Sequence, residues 1–395
     1  MEQRSIFILG RQSSIGLAEL ESLFGGANVK PINDFCAESN VSPSDVEFSR
    51  LGGSVKFGTH LGTIDSSKWP DIQRKLESLI LECAEDIPEG KIQVGLSTYG
   101  FNVLPRQILA TGIELKRILR KHGYSARLTP NVETSLSSAQ VIHNHLTGER
   151  GIEFLIAASG SKTVVGRTLN VQNIAAYAKR DQARPKRDAF IGMLPPKLAQ
   201  TIVNLAVAST NAIPDNIVLD PFCGTGVILQ ESLLMGYGSY GSDIEPRMID
   251  YSQENLNWLA TQGDTTVPHL EIGDATTHNW QKPFNVVASE TYLGHPLSNW
   301  PQPDKLVKII GTCNVIIEHF LHNIADQVPS GTRFCLAIPA WINPSNSTIK
   351  HLPLLDHLSN LGYNRVSFSH VEFQDLIYNR PGQLVGRELL VLTRN

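Results

Sequence analysis

Apolar positions along the chain alternate between short runs and helical spacings. The run Ile6 to Leu9 predicts a strand, and Ile15, Leu17, Leu20, Leu23 and Phe24, closed by Gly25-Gly26, predict the helix after it. Ser54 to Gly58 predicts a second strand, followed by a helix through Ile72, Leu76, Leu79, Ile80 and Cys83. A second block opens with a strand at Lys91 to Ser97. Its helix carries Leu115, Ile118 and Leu119 on one side, Lys116, Arg117, Arg120 and Lys121 on the other, and stops at Gly123. A strand at Ala126 to Leu128, a helix around Ser138 to His145, and strands at Ile152 to Ala158 and Val164 to Thr168 complete this block.

The stretch Lys179 to Asp188 has no apolar period, contains Pro185 and is dense in charge, which predicts a linker. Beyond it, strands at 217–220, 237–243, 269–272, 284–288 and 333–338 alternate with helical segments, and two late strands are expected at 365–369 and 388–393. That alternation predicts a doubly wound α/β domain.

Composition narrows the class. The 395 residues are 41% hydrophobic and 18% charged, ordinary for a globular protein and against general disorder. No run approaches the roughly 18 apolar residues needed to cross a bilayer, and the opening apolar run is too short for a signal peptide. The five cysteines are scattered, with no Cys-x-x-Cys pair. A soluble cytoplasmic protein with reduced thiols and no structural metal is therefore expected. Net charge is −4, but residues 101–190 hold 14 basic and 6 acidic side chains, between acidic flanks. Such a block reads either as a solvated surface or as a binding face for a polyanion.

The sharpest motif is Asp220-Pro221-Phe222-Cys223-Gly224-Thr225-Gly226, directly after an apolar strand and before a helix. Glycines there let a backbone approach a ligand closely. A dinucleotide loop would need a third glycine at position 229, which is leucine, and Asp220 would repel a pyrophosphate. A carboxylate suits instead the ammonium of S-adenosylmethionine. Asp243, with Ile244 after it, ends the next strand, where it can accept hydrogen bonds from ribose hydroxyls. Asp274, before Ala275, ends the one after and can accept from an adenine amino group. Each aspartate alone is more often a cap or turn residue. Three of them at consecutive strand ends favour an adenosyl cofactor.

Leu219 to Gly226 and Met193 to Gln200 together resemble the THUMP-containing RNA guanine-N2 methyltransferases, and more narrowly the tRNA family that methylates the guanine at position ten. Ile8 to Gln12 with Leu17 to Glu21, and Asn379 to Glu388, resemble that family's two ends. The resemblance implies a ferredoxin-like domain over 1–88, a THUMP domain over 89–175, a linker over 176–194 and a Rossmann-like class I methyltransferase domain over 195–395. It also implies S-adenosylmethionine as cofactor and tRNA as acceptor, with a monomeric chain expected and the need for a partner subunit open. Asp220, Pro221, Cys223, Gly224, Thr225, Gly226, Asp243, Ile244, Asp274 and Ala275 are the expected cofactor residues.

One departure bears on catalysis. Where the family presents Asp/Asn-Pro-Pro-aromatic, this chain has Ser289-Glu290-Thr291-Tyr292. Glu290 can supply the carboxylate and Tyr292 the ring that stacks on the base. With no proline to fix the backbone angle, something else must position Glu290. Arg106, Lys116, Arg117, Arg120, Lys121, Arg127, Arg184, Lys186 and Arg187 are the expected phosphate contacts. The alternatives are a DNA or rRNA amino-methyltransferase on the same sheet, or a tRNA-binding protein that has lost turnover.

Overall fold

A computed structural model describes residues 4–188, 193–208, 216–263 and 266–395. Two compact units account for the chain: residues 1–49 with 53–174, and residues 50–52 with 175–395.

The first unit runs β1 (Ser5–Leu9), α1 (Ser13–Phe24), β2 (Val29–Asn33), β3 (Cys36–Ser39), β4 (Ser54–Ile64), α2 (Trp69–Glu85), β5 (Lys91–Tyr99), α3 (Pro105–Lys121), β6 (Ser125–Leu128), α4 (Ser138–His143), β7 (Gly151–Ser159) and β8 (Lys162–Val171). Its strands form one sheet in the order β2-β3-β1-β4-β8-β7-β5-β6. The boundary expected at 88/89 falls inside this unit, because β4 pairs with β8 along most of its length. A buried polar cluster ties the centre of the sheet. Lys56 on β4 pairs with Glu153 on β7, whose carboxylate also accepts from Ser97 on β5 and Thr168 on β8, both at 2.6 Å. Burial would be costly for either charge alone, so this cluster depends on every member being present. The β2–β3 hairpin is absent from the expected elements. Its strands are short, Pro31 interrupts the first, and Asn33 Oδ1 closes the turn by accepting from Phe35 N–H at 2.9 Å.

The second unit contains α5 (Ile174–Gln182), α6 (Pro196–Val207), β9 (Ile217–Asp220), α7 (Val227–Leu234), β10 (Gly238–Asp243), α8 (Pro246–Ala260), β11 (His269–Ile272), β12 (Val286–Glu290), α9 (Pro303–Ala325), β13 (Arg333–Ile342), β14 (Ile349–Lys350), β15 (Tyr363–Arg365), β16 (Ile377–Tyr378) and β17 (Val385–Arg394). The order is β11-β10-β9-β12-β13-β17-β15, with β14 on β13 and β16 on β17. The first five strands are parallel, and β17 is antiparallel to both its neighbours. Prolines at Pro196, Pro246 and Pro303 open α6, α8 and α9 where a missing N–H costs nothing. Ile317, Phe320, Leu321 and Ile324 of α9 pack on Phe334, Leu336, Leu390 and Leu392 to form the core against which the site is held.

Two expectations change here. The start of the expected linker is the helix α5, anchored by Arg180 to the buried Glu231 at 2.9 Å, and residues 189–192 of that linker lie outside the described residues. The strand expected at 365–369 is instead Tyr363–Arg365. Tyr363 is buried and its hydroxyl donates to Leu321 O at 2.8 Å, which sets where pairing with β17 begins. All five cysteines are buried and unpaired. Among the described residues, no helix is long and apolar enough to cross a membrane.

Candidate active site

Strands β11, β10, β9 and β12 lie side by side, and the loops after their carboxyl ends open onto a single cavity of about 780 Å³. That size falls within the roughly 300–1,000 Å³ of small-molecule sites, and this edge of an open parallel sheet is where ligands bind. Asp220, Pro221, Cys223, Gly224, Thr225, Asp243, Ile244, Asp274, Ala275, Glu290 and Tyr292 all line it. Gly226 stands behind, as the residue preceding α7.

The loop after β9 turns through two glycines at positive φ, Gly224 at 50° and Gly226 at 80°. A side chain on Gly226 would meet Ser252 Oγ at 2.9 Å, whereas one on Gly224 would meet almost nothing. Gly226 therefore serves packing, and Gly224 leaves a cradle open. Ser252 Oγ donates to Gly224 O at 2.8 Å and Asn255 Nδ2 to Thr225 O at 2.9 Å, so α8 holds the loop from below. Asn255 also donates to Lys186 O and accepts from Lys186 N–H. Cys223 is buried, which pushes its thiol well above the ordinary range and fits packing instead of nucleophilic chemistry.

The carboxylates are met in different ways. Asp220 is buried, and its Oδ1 accepts from Ser289 Oγ at 2.6 Å and Phe222 N–H at 3.3 Å. Burial pushes its pKa up to about 8; those two bonds oppose the rise, and the charges of Asp243 and Glu290 add to it. Asp243 accepts from Gly224 N–H and Glu245 N–H, both at 2.9 Å, so it also locks the glycine loop to β10. Its pKa is raised by burial, against the pull of those backbone bonds. Each oxygen of Asp243 keeps a second lone pair for a ligand. Asp274 is exposed, with Oδ1 accepting from Thr276 N–H and Oγ1. Ile244 presents its apolar side chain to the cavity, 64% exposed.

After β12, Thr291 stands where the resembled motif has a proline. Its N–H and hydroxyl both donate to Ala337 O on β13, at 3.0 and 3.2 Å, and pin the loop. Glu290 pairs with Arg387 of β17. Tyr292 is half-buried, with its ring perpendicular to that of His295 at 6.3 Å. Ser289, Thr291, Arg387 and the cavity-lining His319 of α9 are absent from the sequence-based set. Ser289, Thr291 and Arg387 act through partners remote in the chain, which the sequence does not display.

The expected phosphate contacts divide. Arg106, Arg117, Arg120 and Lys121 on α3 and Arg127 on β6 are exposed, while Lys116 is half-buried. Arg117 is engaged by Glu114 at 2.5 and 2.9 Å. Lys186 pairs with Glu254 at 3.2 Å, and Arg187 is exposed. Arg184 needs correcting: at 3% exposure its guanidinium is buried, out of reach of a surface phosphate.

Known proteins resemble parts of this sequence and its fold. A family model described as DNA methylase matches residues 118–254. The tRNA (guanine(10)-N2)-dimethyltransferase of Methanothermobacter thermautotrophicus is 40% identical over 181 residues, covering 45% of this chain and 49% of that protein. The chain spans about half the length of that protein. The solved structure of TrmN from Thermus thermophilus is similar over 100% of this chain and 99% of its own, with a TM-score of 0.51 and 16% identity. A putative methyltransferase complexed with SAH gives 0.50, at 13% identity and with 99% and 98% covered. The second unit has the class I methyltransferase fold.

Asp220 links stability to pH. The folded chain holds a proton that the unfolded chain releases, so folding loses ground as pH rises from about 3.8 towards about 8. Asp220→Asn should therefore raise the melting temperature progressively over that window, with little effect below it. Parallel melting curves for variant and parent at every pH would show that Asp220 ionises freely in the fold.

Proposed function

We propose that this chain transfers a methyl group from S-adenosylmethionine to the exocyclic N2 of a guanine in tRNA, the one at position ten. The observation that carries the reading is the meeting of the glycine cradle, Asp220 and Glu290 in one cavity. The residues fit the cofactor. Asp220 would take its ammonium, Asp243 its ribose hydroxyls, and Asp274 its adenine amino group, with Ile244 and Ala275 against the ring.

When bound, the cofactor would supply an electrophilic methyl group on a sulfonium, whose leaving group on transfer to the guanine nitrogen is a neutral thioether. The chain's own work is on the acceptor. The amino lone pair of guanine is delocalised into the ring, so the group is a poor nucleophile. A carboxylate accepting one N–H localises the lone pair, then takes the proton that the nitrogen releases. Glu290 is the sole acidic residue between Asp274 and Asp304. Tyr292 would stack on the base, and most of the remaining gain comes from alignment of nitrogen and methyl group.

The first unit is read as the family's ferredoxin-like and THUMP regions sharing one sheet, and α3 with β6 as its RNA face. A monomer acting on tRNA in the cytoplasm fits this reading. The match to a DNA methylase family favours a second one, amino-group methylation of another nucleic acid. A protein that binds tRNA without turnover is the third.

Single-turnover transfer to unmodified tRNA, followed by mass spectrometry of the nucleosides, separates these readings. Glu290→Gln should keep cofactor and tRNA affinity and lose about 10²–10⁴-fold in rate. Tyr292→Ala should weaken guanine placement by ~1–3 kcal/mol. A parent chain silent on every tRNA would favour the binding protein, and an undiminished Glu290→Gln rate would remove that residue from the mechanism. The RNA face has its own test. Replacing Arg120, Lys121 and Arg127 by alanine should weaken tRNA binding and lower the slope of log affinity on log salt by about 0.7–0.9 per lost contact. Unchanged affinity and slope would make α3 a solvated face.

A further inference from the structure

Glu290 is the last residue of β12, where its register partner is Ala337 on β13. Arg387 sits on β17, the next strand over, opposite Pro339 of β13. The guanidinium therefore reaches across β13, and its Nε contacts Glu290 Oε1. Both side chains are sheltered, at 7% and 19% exposure. The ladder with β13 and the bonds from Thr291 to Ala337 O fix the backbone at Glu290, and the carboxylate itself is met by a side-chain partner.

We propose that Arg387 is the positioning residue of the methyl transfer, doing for Glu290 what a rigid proline pair does in the related motif. This rests on the reading of Glu290 as the group that binds the amino nitrogen. Two consequences follow from the contact. Arg387 engages Oε1, which leaves Oε2 as the oxygen to accept from an amino N–H. The positive charge also opposes the burial that disfavours the carboxylate. Asp220 on β9, Asp243 at the end of β10, Tyr292 and His295 in the same loop and His319 on α9 line the cavity with Glu290. The two aspartates add negative charge when ionised, so Arg387 is the cation in contact that favours the ionised form of Glu290 against its burial.

The test combines a carboxyl titration with a rate profile. With ¹³C-labelled glutamate, the Glu290 signal, assigned through Glu290→Gln, is followed against pH in the parent, Arg387→Gln and Arg387→Lys. In Arg387→Gln its titration should move up by about one to three pH units, and the acid limb of the single-turnover rate should move with it. Arg387→Lys keeps the charge but loses the directed Nε contact. Its titration should stay near the parent's, while the transfer rate falls about ten- to a hundredfold at unchanged cofactor and tRNA affinity. An unmoved titration in Arg387→Gln overturns the proposal, as does a shifted titration with an unshifted rate profile. Should Arg387→Gln fail to fold, Arg387→Lys decides alone, and a parent-like rate overturns it. The two readings fail separately: a parent without transferase activity removes the methylation reading, while the titration still reports whether Arg387 holds Glu290.

Discussion

Sinking carboxylates into the carboxyl edge of a sheet is the constraint on which this site depends. A buried charge must be paired, hydrogen-bonded or neutralised. Asp220, Asp243 and Glu290 meet that requirement in three ways: retained proton and serine hydroxyl, backbone N–H groups, and guanidinium. Each solution also builds structure. The bonds to Asp243 join the glycine loop to β10, Ser289 joins β12 to β9, and Arg387 joins β17 to the acceptor side of the cavity. The chemistry and the architecture of the second unit are held by the same contacts.

These solutions assign different tasks. Asp220, whose ionisation is suppressed by burial, is suited to a ligand that brings its own positive charge. Glu290, already faced by a cation, has less to gain from a charged ligand and more from a neutral N–H donor. Under the proposed function, the cavity thus offers one end to a cation and the other to a polarisable amino group. The sheet order puts β9 beside β12, which brings the two ends together.

Much of this was legible in the chain. Short apolar runs ending in Asp220 and Asp243 mark strands and their loops because parallel strands buried on both faces leave polar chemistry only at their ends. Asp274 follows the next strand end, and Glu290 stands out through the family motif from which Ser289 to Tyr292 departs. What the chain does not display is partnership across distance. Arg387 lies within a stretch that resembles the family, yet its contact is 97 residues away. Arg184 reads as a surface charge by composition, and the packing of α5 and its following segment buries it. The 88/89 boundary rests on the family pattern, whereas the pairing of β4 with β8 joins the two sides through a buried polar cluster that no local period announces.

If the second unit is built around a suppressed carboxylate awaiting a cation, cofactor binding must move a proton. Calorimetry of S-adenosylmethionine binding near pH 7, in buffers of different ionisation enthalpy, measures that proton directly. Asp220 enters largely protonated, with a pKa of about 8, and the arriving ammonium favours its ionised form. The account therefore predicts net proton release on binding, and its loss in Asp220→Asn. Binding with no proton exchange, or the same release from Asp220→Asn, would contradict it.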